Sequence, residues 1–176
     1  NNRIRKVSSS LPGFSATDLA IASEDGRLLY RFNSAGRHLS TVDTLTKTVL
    51  YTFGYDSAGR LISITDADSN ITTIERNASG NPTAIVAPFG QRTALTVNGN
   101  GYLASVANPA GETHQLTTTA DGLLTAFTEP KGNASQFTYD AMGRLQRDVN
   151  ATGGSQNLAR AELDDGYTVN RSTALN

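Results

Sequence analysis

Two histidines, His38 and His114, are the side chains best suited to move a proton near neutral pH. Each sits in a strand column between turns, with no matched Ser or Cys nucleophile and no second metal ligand at short spacing. A surface or satisfied strand histidine is the reading that placement favours. Asp66-Ala67-Asp68-Ser69-Asn70 opens like a calcium loop. Ile71 then stands where such a loop needs its glycine, and Asn77 where it needs its bidentate glutamate. A polar turn is expected there. Glu162, Asp164 and Asp165 suit an exposed turn, and no P-loop or dinucleotide fingerprint occurs. Asn70, Asn77, Asn133, Asn150 and Asn170 head N-x-S/T triplets, yet four of them lie in or beside turn positions, so turn chemistry explains most without glycosylation. No acid/base pair, nucleophile or metal cluster is assembled. The sequence predicts no enzyme, no catalytic residue, no cofactor and no metal.

Composition points the same way. Apolar residues make up 38% of the 176, low for a compact α/β enzyme. Thr, Ser, Asn and Gly, the residues of strands and turns, fill the difference. Fifteen Lys and Arg nearly balance sixteen Asp and Glu, so neither nucleic acid nor an anionic membrane is an expected partner. No cysteine is present, which excludes disulfides and thiolate metal sites. No apolar run approaches the ~20 residues of a spanning helix, and direct membrane insertion is not expected. Asn1-Asn2-Arg3-Ile4-Arg5-Lys6 leads into no apolar core, so it is not a signal peptide; the chain reads as a piece of a longer protein. Tryptophan, the usual sugar-stacking residue of wall-binding hairpin repeats, is absent.

What must position any of these residues is a repeat. Gly36, Gly59, Gly80, Gly101, Gly122 and Gly143 recur, the last five at steps of 21 and the first at 23; Gly166 follows after another 23. Three residues before the first six stand Asn33, Asp56, Asn77, Asn98, Thr119 and Asp140. Asp or Asn opening a turn and Gly closing it mark a type I turn ending in a left-handed residue, which closes a hairpin with a glycine bulge. A second series lies midway: Gly26, Gly90, Gly111, Gly132 and Gly153, with Ser69 in the same slot. Pro88, Pro109 and Pro130 take the second turn position there, where a fixed φ helps. A turn every ten or eleven residues leaves strands of about six.

Columns between the turns confirm strands. Tyr30, Phe53, Ile74, Leu95, Leu116 and Phe137 stand six before each glycine and are the expected structural core. Phe32, Tyr55, Arg76, Val97, Thr118 and Tyr139 stand four before, on the same sheet face. After the glycine, Leu61, Leu103, Leu124 and Leu145 stand second, and Ile64, Ile85, Val106 and Phe127 fifth. Their opposite parity lets one face hold both only if a bulge intervenes. The expected fold is all-β: tandem antiparallel hairpins forming a curved or spiralling strip of sheet, with no sustained helix. A parallel solenoid would need one coil per period, whereas each period here holds two hairpin turns.

The string YDSAGRLISITD (residues 55–66) resembles the core of an RHS, or YD, repeat. YDAMGRLQRDV (139–149), FNSAGRHLSTVD (32–43), GYLASVANPAG (101–111) and GLLTAFTEPKG (122–132) match with wear. The similarity divides the chain into lead-in strands at 1–24, repeats of about 21 residues at 25–154, and a degenerate repeat at 155–176, stopping at a repeat boundary. The resemblance implies a sheet that curls, in full-length relatives, into a hollow shell. In bacterial RHS polymorphic toxins and insecticidal toxin complexes that shell encloses a C-terminal toxin; in animal, teneurin-like relatives it is an adhesion scaffold. The implied role is a wall segment of a secreted or cell-surface bacterial shell, with an adhesion or carbohydrate-binding module as the alternative. Implied partners are the remaining repeats and the toxin domain of the parent chain. Self-association through unpaired edge strands is a further expectation.

Overall fold

The computed structural model describes residues 18–174, and every element among them is a β-strand. Strand order in space follows strand order in sequence, as connections this short require of antiparallel neighbours. The chain divides into two compact units, Asn1–Ile74 with Val86–Gly90, and Glu75–Ile85 with Gln91–Asn176. Of the expected lead-in strands at 1–24, only β1 (Asp18–Ala22) falls within the described residues; residues 1–17 lie outside them.

The first unit holds β1, β2 (Leu28–Asn33), β3 (His38–Asp43), β4 (Val49–Tyr55) and β5 (Leu61–Asp66). Strands β6 (Ile71–Arg76) and β7 (Pro82–Val86) fall where the units divide. The second unit continues with β8 (Arg92–Val97), β9 (Leu103–Ala107), β10 (Thr113–Thr118), β11 (Leu124–Thr128), β12 (Ala134–Tyr139) and β13 (Leu145–Val149). It ends in a longer hairpin, β14 (Ser155–Leu163) and β15 (Gly166–Ala174).

The bulge demanded by the column parity is present in each hairpin of the main series whose pairing is described. Between β4 and β5, Tyr55 faces Leu61 but Gly54 faces Ser63, leaving Ile62 as the extra residue. That slip returns Leu61 and Ile64 to one face, opposite Tyr55 and Phe53. The same slip sets Val97 opposite Leu103 with Leu95 opposite Val106, and Thr118 opposite Leu124 with Leu116 opposite Phe127. Tyr139 opposite Leu145, and Phe32 opposite His38, repeat it.

Leu95 and Leu116 are half-buried, as are Tyr30, Phe53, Ile74 and Phe137. Among the described contacts, strands touch only the strands beside them in sequence. A column on a single layer is covered from its sides and not from above, and only Val42 and Ala84 are buried apolar residues among those described. One expectation needs correcting, the place of Gly166 in the turn series. Gly166 is not a left-handed turn residue: it begins β15 opposite Leu163 across the two-residue loop Asp164-Asp165. With no bulge to interrupt it, that hairpin pairs straight through from Leu163–Gly166 to Ser155–Ala174.

Candidate functional site

The turns and the bonds tying one hairpin to the next are where this chain concentrates its specific side-chain geometry. Gly36, Gly59, Gly80, Gly101, Gly122 and Gly143 all have φ between +74° and +90°. Each turn opener satisfies the amides that the turn leaves free. Asn33 Oδ1 accepts from the N–H groups of Ala35 and Arg37, both at 3.0 Å. Asp140 Oδ1 does the same for Met142 and Arg144, both at 2.9 Å, and Thr119 Oγ1 takes the Leu123 N–H at 3.0 Å. Where Asp opens the turn and Arg follows the glycine, Nε closes the ring: Arg60 donates to Asp56 Oδ2 at 2.8 Å and Arg144 to Asp140 Oδ2 at 2.6 Å. The Arg60 backbone N–H, then the guanidinium, holds the Asp56 carboxyl below its usual range; Arg144 does likewise for Asp140.

Successive hairpins of a series are tied by the column four before the glycine. The Tyr55 hydroxyl donates to the His38 carbonyl at 2.8 Å, and the Tyr139 hydroxyl to the Leu124 carbonyl at 2.7 Å. Both reach the second residue after the preceding main-series glycine. Thr118, in the same column, keeps a tie by other means, accepting from Asn98 Nδ2 at 3.0 Å. Arg76 donates to the Gly80 carbonyl of its own turn. The residues following Gly36, Gly101 and Gly122 add a second contact. A Cβ on Gly122 would lie 2.5 Å from the Tyr102 ring, one on Gly143 3.4 Å from Leu123, and one on Gly59 would meet the Arg37 guanidinium. Arg37 also lies over the Tyr55 ring, 5.9 Å from its centroid.

The residues with chemical potential are spent on this scaffold. The His38 ring stacks 4.9 Å from Phe32 and 4.3 Å from Phe53, with Tyr30 edge-on at 5.7 Å. Its Nε2 lies 3.0 Å from the Ser40 carbonyl and 3.2 Å from Thr41 Oγ1. His114 stacks on Phe127 at 5.4 Å. Asp66 Oδ1 takes the N–H groups of Asp68 and Asn70, and Asp66 Oδ2 takes Asn70 Nδ2. The calcium-like string is thus a capped turn, with Ser69 left-handed at φ +66°. Among the described residues no group of three His, Asp or Glu side chains could hold a metal ion. Asn77 and Asn150 cap turns through Oδ1, and Asn133 Nδ2 donates to Glu129.

One turn escaped the glycine search. Asp43 Oδ1 accepts from the N–H groups of Leu45 and Thr46, and Lys47 takes the left-handed position at φ +63°. This loop has one residue more than its counterparts, and Leu50 is bulged in β4. Those two residues account for the 23-residue step from Gly36 to Gly59. The only signal was an Asp placed one strand length after Gly36, since no Gly or Pro marks the turn.

Comparison with known proteins agrees with this geometry. The family model described as the teneurin YD-shell matches residues 16–174. Teneurin-1 of Gallus gallus is 38% identical over 97 residues, which is 54% of this chain and 4% of that protein. Teneurin-m of Drosophila melanogaster is 35% identical over 99 residues, 54% of this chain and 4% of its own length. Among solved structures, the Photorhabdus luminescens Tc holotoxin pore superposes with a TM-score of 0.54 at 12% identity, covering 86% of this chain and 9% of that one. The chain thus spans a small fraction of each, and the toxin likeness is one of fold.

Proposed function

The chain belongs to the teneurin YD-shell family, and we propose that it is a wall segment of a YD-shell on a secreted or cell-surface protein, serving as an adhesion scaffold. It is a non-catalytic hairpin-repeat module. The observation that carries the adhesion reading is sequence identity: 38% with Teneurin-1, against 12% with the toxin pore whose fold it shares. The ties support a wall role, because each holds a hairpin to the one before it and leaves the turns exposed for contact. Beads coated with the folded chain should attach to cell layers, and beads coated with heat-unfolded chain should not. Equal attachment by both would overturn the reading.

A second reading, encapsulation of a C-terminal toxin by a bacterial shell, is favoured by the fold likeness to the toxin pore. Sequencing the parent reading frame separates the two. A self-cleaving core segment and unrelated tail after Asn176 would support encapsulation; further repeats leading to no such tail would count against it.

A further inference from the structure

We propose that the β8–β9 turn carries a site of spontaneous backbone modification, at which Asn100 deamidates to isoaspartate in the folded chain while the fold holds Asn98 inert. Asn98 and Asn100 are the two asparagines that precede a glycine. Every other asparagine up to Asn170 is followed by a side chain that crowds the approach, or, at Asn81 and Asn108, by a proline with no N–H. The step needs no cofactor. The Gly101 backbone nitrogen attacks Asn100 Cγ, the Cγ–Nδ2 bond breaks, and ammonia leaves carrying the Gly101 amide proton. Water then opens the succinimide ring at either carbonyl, giving aspartate or isoaspartate.

Sequence favours both pairs alike, and geometry separates them. Asn98 commits its side chain to the turn: Oδ1 accepts from the N–H groups of Asn100 and Tyr102, both at 3.0 Å, and Nδ2 donates to Thr118 Oγ1 at 3.0 Å. Swinging its Cγ onto the Gly99 nitrogen breaks all three. Asn100 is exposed at the tip, and no hydrogen bond among the described residues holds its side chain. What must open there is one backbone bond, from the Gly101 N–H to the Asn98 carbonyl at 3.0 Å. Two fewer bonds to break should make Asn100 react about tenfold or more faster than Asn98. The product acts on the wall. Isoaspartate routes the chain through the side-chain carbon and lengthens the ring that closes the turn by one atom. The bulge that sets Val97 opposite Leu103 and Leu95 opposite Val106 loses its closure.

The test is to age the chain at mildly alkaline pH below its unfolding temperature and map it by peptide mass spectrometry, with fragmentation that separates isoaspartate from aspartate. Conversion should accumulate at Asn100, with isoaspartate present, and lag about tenfold or more at Asn98. In denaturant the two sites should convert at similar rates. Thr118→Ala, which frees Asn98 Nδ2, should speed conversion at Asn98 alone. The aged chain should show a lower urea midpoint than the fresh one, whereas Asn100→Ser, which cannot form the ring, should age without that loss. Equal conversion at both sites in the folded chain, or an Asn100 that stays intact in the folded chain while converting in denaturant, would overturn the proposal.

Discussion

At the scale of single residues, the same column does one job by several chemistries. Tyr55 and Tyr139 reach a carbonyl on the preceding hairpin of the series, while Thr118 accepts an amide from one. Tyr139→Phe removes one half-buried hydrogen bond and should cost about 0.5–1.5 kcal/mol, read as a lower urea midpoint. The glycines can be ranked in a similar way. Gly101 and Gly122 are both left-handed, but a Cβ on Gly101 meets nothing within 4 Å, whereas one on Gly122 strikes the Tyr102 ring. Gly122→Ala should therefore destabilise more than Gly101→Ala, which bears only the backbone penalty of about 1 kcal/mol. Tyr102→Ala should relieve the difference by more than about 0.5 kcal/mol in a double-mutant cycle. Conversely, Ser69 occupies a left-handed position without being glycine, and Ser69→Gly should raise the midpoint.

At the scale of elements, the turns opened by Asp43, Asp56, Asp66 and Asp140 are capped by a carboxylate, which makes the array sensitive to acid. The carboxyls of Asp56, Asp140, Asp66 and Asp43 are all held below their ordinary range by turn hydrogen bonds. A depressed carboxyl contributes stability that is present above its unfolded value of about 3.9 and is lost as pH falls through the lower folded value. The urea midpoint should therefore drop below about pH 4, and Asp56→Asn with Asp140→Asn should flatten that fall by keeping the acceptor and removing the titration. Strands and turns were legible in the sequence wherever Gly and Asp or Asn fixed the backbone locally, and the bulge followed from column parity alone. Lys47 and Gly166 were not legible. A left-handed Lys carries no compositional mark, and whether a glycine closes a turn or opens a strand depends on the loop beside it. The inter-hairpin ties were hidden too, since a tyrosine at the right spacing does not announce which carbonyl it meets.

At the scale of the whole molecule, the chain is a row of hairpins in which each depends on its neighbours, and no catalytic centre among the described residues organises the rest. Energy removed at one place should therefore be missed locally. Leu95 faces Val106 across β8 and β9 and is half-buried, so Leu95→Ala should cost less than the ~2–5 kcal/mol of a fully buried leucine. Hydrogen exchange mapped strand by strand on that variant tests the claim most directly. Protection should fall in β8, β9 and β10 while β2 to β5 keep wild-type exchange. Equal loss of protection in every strand would mean one cooperative core, and would contradict it.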